Sequence, residues 1–94
     1  MPFSADSAET LALKALSWLI GNDELLPVFL GSTGASEADV KAQVSNPEFL
    51  GSVLDFLMMD DAWIVAFCDD NTIPYDHLMQ ARAVLAGPAD MHWT

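Results

Sequence analysis

Ninety-four residues fit one domain, and a chain of this size buries roughly 60–65% of the surface its unfolded form exposes, enough for a single modest core. At 52% hydrophobic residues the chain is too apolar for a disordered protein, and the aspartates Asp60 and Asp61 interrupt its longest apolar run before it reaches membrane-spanning length. Fourteen acids against three bases give a formal charge of −11, which repels phosphate backbones and anionic lipids and excludes nucleic acid and membrane surfaces as expected partners.

The opening "MPFSADSAET" has no basic stretch followed by a long apolar one, so no signal peptide is expected. Asp6 followed by Glu9 resembles a capping box, and the spacing predicts a helix to about Ile20 with Gly21 as its stop. At about 100° per residue, Leu11, Ala12, Ala15, Leu16, Trp18 and Leu19 share one broad face. Leu13 and Ile20 fall on a second side, which predicts packing against more than one neighbour, and Lys14 and Ser17 mark the wet strip.

Asp23 is the expected N-cap of a second helix with Leu26, Phe29 and Leu30 inward and Gly31 or Gly34 at its end. Pro27 lies near the end of its first turn, where amide donors are still unpaired. Ser36 caps a short helix through about Val44. Asn46-Pro47 combines a cap with proline at the first helical position and opens a helix to about Met59. Its apolar face is Phe49, Leu50, Val53, Leu54, Phe56 and Leu57, with Glu48, Ser52 and Asp55 opposite.

Asp60 and Asp61 then pose a question of fold against function. If this helix ran on to Cys68, they would sit about 20° and 120° from Phe49 around its axis, both inside the apolar face. An unpaired buried carboxylate costs several kcal/mol or must take up a proton. Breaking the helix removes that cost, because one of the two aspartates then caps a new helix at the positive end of its dipole. That helix, from about Ala62 to Asp70, is apolar nearly all round through Trp63, Ile64, Val65, Ala66, Phe67 and Cys68, so it is expected to be the buried central element. Asp69 and Asp70 lie at its negative end, which the dipole disfavours, and are expected to be solvated. A last helix runs from about Tyr75 to Ala86, with Leu78, Ala81, Val84 and Leu85 inward and Gly87-Pro88 as its stop. No strand is predicted. The expected fold is all-α: a compact, irregular, orthogonal bundle of five or six short helices in one domain spanning 1–94, with an ordered core of about 7–87 between tails 1–5 and 88–94.

The chain resembles a small alphaproteobacterial family, the domain of unknown function 3572. The likeness rests on Phe29-Leu30-Thr33-Gly34, on the "VLDFL" segment with its trailing aspartate between Pro47 and Asp60, and on the late helix from Pro74 to Leu85, and it covers roughly residues 8–86. It implies a small helical cytoplasmic bacterial protein and brings no catalytic residue, cofactor or substrate.

"FLGSTGASEADVKAQV" has a helix-turn-helix look, but its second helix offers Glu37 and Asp39 against one Lys41, the wrong sign for DNA. Asp69, Asp70, Asp76 and His77 do not follow the alternating ligand pattern of a calcium loop, and no HExxH pair occurs. Cys68 is the only cysteine, so no internal disulfide and no thiolate cluster within one chain can form. On an apolar helix it reads as an inert core thiol, and the lone thiol points to the cytoplasm. No nucleophile elbow or glycine-rich phosphate loop frames the remaining Ser, His and Asp residues. The chain is therefore read as a non-enzyme with no cofactor and no metal.

Apolar groups left off the buried faces are the remaining signal. Met58 lies at the edge of its helix's apolar face, Met59 on the outer side, and Met79 away from the inner stripe of the last helix, while Met91 and Trp93 belong to the tail. Methionine clusters make adaptable binding surfaces. Met58, Met59, Met79 and Trp93, with Asp60 and Asp61 beside them, are the candidate interaction surface. The expected role is a protein–protein interaction module that binds another protein or a second copy of itself. The alternative is an acidic nucleic-acid mimic for a basic partner, which requires Glu48, Asp55, Asp60, Asp61, Asp69, Asp70 and Asp76 to form one continuous face. An enzyme with an unrecognised site comes third.

Overall fold

Hydrogen-bonding side chains placed just ahead of apolar periodic runs divide the chain into helices, and the computed structural model describes residues 4–86 of them. In chain order these are α1 (Ala5–Ile20), α2 (Leu25–Thr33), α3 (Glu37–Gln43), α4 (Pro47–Leu57), α5 (Asp61–Asn71) and α6 (Asp76–Ala86). No strand occurs among the described residues, and the fold is an all-α bundle.

Most boundaries follow the capping chemistry, with two corrections. Helix α1 is capped by Ser4 and not by Asp6: the Ser7 amide donates to the Ser4 hydroxyl at 3.0 Å, and Asp6 lies inside the first turn. Asp23 is not the cap of α2. The Asn22 side-chain oxygen lies 3.1 Å from both the Glu24 and Leu25 amides and satisfies them one residue earlier. Gly31 stays within α2, and Gly34 ends it at φ 74°, a left-handed turn that favours glycine. Ser36 and Asp39 close a reciprocal capping box on α3. At α4, Asn46 accepts from the Glu48 amide with Pro47 at the helix start. The helix closes at Leu57, two residues short of the expected Met59, because the chain must turn before Asp60.

Asp60 resolves its own question. Its backbone is extended, and its carboxylate accepts from the Ala62 amide at 2.9 Å. The aspartate is the N-cap of α5, and Asp61 is the first residue of that helix.

The core is built by α1, α4 and α6, which pack on one another, with α2 against α1 and α5 against α4. Ala8, Ala12 and Ala15 on α1 and Ala81 on α6 are fully buried, small enough to bring these helix backbones close. Leu16, Leu19, Leu50, Val53, Leu54, Leu57 and Leu78 fill the space between. Phe29 carries α2 into this core and meets Phe49 and Phe56 edge-to-face, with ring centroids 6.1 and 5.2 Å apart. Arg82 on α6 pairs with Asp55 on α4 at 2.6 Å near the surface, a link expected to contribute no more than about 1 kcal/mol.

Helix α1 packs on more than one neighbour, as expected, meeting α6, α4 and α2, although Leu13 and Ile20 themselves stay exposed. One packing expectation is overturned. Helix α5 is not the central element. Only Phe67 and Cys68 are buried on it, Trp63 is half-buried and stacks on Phe56 at 4.7 Å, and Val65 and Ala66 face outward. The α1–α4–α6 trio already covers itself, so α5 lies across one side with its outer face left open.

The end of α5 carries backbone strain. The Ile73 amide donates to the Cys68 carbonyl at 2.9 Å and the Thr72 amide to that of Asp69 at 3.4 Å, the double bond of a Schellman close. Thr72 holds the left-handed turn at φ 54°, the only described non-glycine residue with positive φ. A β-branched side chain there costs about 1–2 kcal/mol. Thr72→Gly should therefore stabilise the protein by about 1 kcal/mol, after the extra unfolded-state entropy of glycine is offset. The check is the midpoint of chemical denaturation, and a lower midpoint would show that the Thr72 side chain is needed where it stands.

Candidate functional site

Of the residues expected to form the interaction surface, those described lie at the α4–α5 junction and on α6. Met58 closes α4 and is half-buried, and Met59 follows it, 71% exposed. Asp60 and Asp61 come next, both exposed. Met79 lies on α6 and is 62% exposed. Trp93 and Met91 lie outside the described residues, as does the Gly87-Pro88 stop.

The fold brings Asp61 and Met79 together with side chains that the sequence does not connect. They line a groove between α5 and α6 whose other walls are Ile64, Val65, Tyr75, Asp76 and Leu78. Leu78 is its buried floor and Ile64 is half-buried, while Val65 and Tyr75 are 41% and 51% exposed. The groove is mostly apolar, with Asp61 and Asp76 its only charged lining residues among those described. Asp61 lies in the first turn of α5 and Asp76 in the first turn of α6, where the helix dipoles favour a carboxylate. Asp76 also accepts from the Gln80 amide group at 3.1 Å, which fixes its position on the rim.

Asp69 and Asp70 have partners that the helix dipole does not supply. The Trp18 indole N–H donates to Asp70 at 2.8 Å, tying α1 to the end of α5. This bond explains why Trp18 stays half-buried, with its ring edge-on to Phe67 at 5.8 Å. The Tyr75 hydroxyl donates to Asp69 at 2.9 Å, bracing the turn into α6. With the Asp60 cap, the Asp55–Arg82 pair and the Gln80–Asp76 bond, five of the seven acids between Lys41 and Arg82 have bonded partners within the fold.

The hydrogen bond to Asp69, and then the charge of that carboxylate, push the Tyr75 phenol above its ordinary value. Folding favours its neutral form. The resulting stabilisation is complete below the unfolded pKa of about 10 and is lost as pH rises through the higher folded value. Tyr75 is the only tyrosine, so absorbance reads it alone. Its titration midpoint should lie above that of free tyrosine and fall back in Asp69→Asn. A wild-type midpoint at the free value would refute the bond.

Two further hollows are open and offer little chemistry. Cys68, Asp69, Thr72, Ile73, Pro74 and Tyr75 surround one at the end of α5. Burial, and then the charge of Asp69, raise the Cys68 thiol above its ordinary value, so it stays protonated at neutral pH and is a poor nucleophile. Asp6, Ser7, Thr10, Lys14, Ile73 and His77 border a second hollow beside α1. Among the described residues no group of three or more His, Cys, Asp or Glu side chains could hold a metal ion. Also among the described residues, no helix is long and apolar enough to cross a membrane.

A family model described as a protein of unknown function, DUF3572, matches residues 5–88. No curated protein matches the chain, and no solved structure does.

Proposed function

The chain belongs to the DUF3572 family, and from that premise we propose that it works as a non-enzymatic interaction module that binds a protein partner through the groove between α5 and α6. The observation that carries this reading is the open apolar face of α5 and α6: Val65, Tyr75 and Met79 stand exposed together over Ile64 and Leu78. Exposed apolar side chains gathered in one groove mark interaction sites more often than single ones do. Met79 supplies an adaptable contact and Tyr75 an amphipathic one, and their supporting helices are anchored by Phe67 and Leu78 in the core. The cytoplasm of a bacterium is the setting proposed with it, where a lone buried thiol such as Cys68 stays reduced.

Photo-crosslinking tests the reading. A photoreactive phenylalanine analogue placed at Val65 should join the protein to a discrete partner band in cells. The same analogue at Ser45, an exposed position between α3 and α4, should not. Equal labelling from both positions, or none from Val65, would remove the groove as the binding surface.

A further inference from the structure

We infer that the partner segment is a short amphipathic helix, apolar on one face and carrying lysine or arginine beside that face. This rests on the reading of the α5–α6 groove as the binding surface and specifies the chemistry that fills it. The walls are two helices with an apolar floor, a shape that takes the apolar stripe of a third helix at i, i+3, i+4 and i+7 spacing. The basic side chains beside the stripe would meet Asp61 and Asp76, the only charged groups lining the groove among the described residues. Among the described residues no lysine or arginine lines it, and Arg82 on α6 is paired with Asp55. The surrounding chain carries −11, so its field draws a basic segment in and lowers the affinity of an acidic one. The same charge opposes a second copy of this chain as occupant, since the two acidic rims would face each other. Basic side chains beside the apolar stripe give the partner both its steering and its register, while burial of Val65, Tyr75 and Met79 supplies the affinity.

The test uses three synthetic peptides of about four helical turns. One has leucines on a helical stripe with flanking lysines, one has the same stripe with glutamates, and one has the lysine composition with the stripe scrambled. Binding is followed by amide NMR shifts on the full chain. The leucine–lysine peptide should shift Ile64, Val65, Tyr75 and Met79, and neither control should. Asp61→Asn with Asp76→Asn should weaken it by roughly five- to tenfold at low salt, as two rim charges of about 0.5 kcal/mol or more each would. Asp23→Asn with Glu24→Gln removes the same charge beside Asp70, at the other end of α5, and should change affinity less than about twofold.

Equal weakening by the two double variants would show attraction to net charge alone and overturn the inference. So would equal binding of the glutamate peptide in the groove, which overturns the basic partner while keeping the surface. Absence of shifts in the groove overturns it as well. In that case, sedimentation equilibrium showing a dimer that Met79→Ser dissolves identifies a second copy as the occupant and preserves the interface. The crosslink at Val65 judges the surface itself, independently of any peptide.

Discussion

Phe29→Ala should lower the stability of the protein by about 3–5 kcal/mol, the largest single-residue effect expected in the chain. Phe29 is fully buried and is the only buried side chain of α2, and its ring meets two other aromatics edge-to-face. Truncation removes its transfer energy, leaves a cavity the size of a benzene ring, and breaks both aromatic contacts. Single domains have about 5–15 kcal/mol in total, so the variant would lie near the threshold of folding. Denaturant titration gives the number directly, and a loss under about 1 kcal/mol would show that α2 contributes little to the core.

Ala12→Leu is the second large effect, and it acts in the opposite sense by adding volume. Ala12 is fully buried between Ala8 and Ala15 on the face of α1 that packs on α4 and α6. Leucine favours helix nearly as well as alanine, so the local helix is not the source of the cost. The added carbons must push α1 from its neighbours, which costs about 1–3 kcal/mol. Leu13→Ala, one residue along on the exposed side, should change stability by no more than about 0.5 kcal/mol. Equal effects at the two positions would mean that α1 is rotated about its axis from the orientation described.

Much of the fold was legible because its signals are local. Asn46-Pro47 and the clean apolar face behind it located α4, and Ser36 with Asp39 located α3. That one of Asp60 and Asp61 caps a new helix followed from the cost of two carboxylates in an apolar face, and the bond from the Ala62 amide gives that place to Asp60. Where several cap residues stand together, order in sequence does not decide among them. Ser4 and Asn22 displaced Asp6 and Asp23 because their oxygens reach the free amides.

The misplacement of α5 has a different cause and bears on function. A helix apolar on every side reads as buried, and periodicity says nothing about which molecule buries it. Here the trio α1, α4 and α6 closes through small residues on α1, and α5 is left with Val65 and Ala66 uncovered. Met79 was legible as an outward residue, and Asp61 as one of two alternative caps beside the candidate surface. Their meeting with Ile64, Val65 and Tyr75 in one groove was not, because it depends on how α6 returns beside α5 after the Thr72 turn. The bonds from Trp18 to Asp70 and from Tyr75 to Asp69 were hidden for the same reason. Each depends on an aromatic donor that tertiary packing or the turn at Thr72 brings to the end of α5.

The most direct measurement compares the wild type with Val65→Ser/Met79→Ser in two readings on the same preparations: the denaturation midpoint, and recovery of the protein crosslinked at Val65 in cells. Both side chains are exposed, so the double variant should keep its stability within about 0.5 kcal/mol per site. It should fail to recover that partner, because the apolar contact is gone while Asp61 and Asp76 remain. Undiminished recovery at unchanged stability would contradict the assignment of the α5–α6 groove as the binding surface.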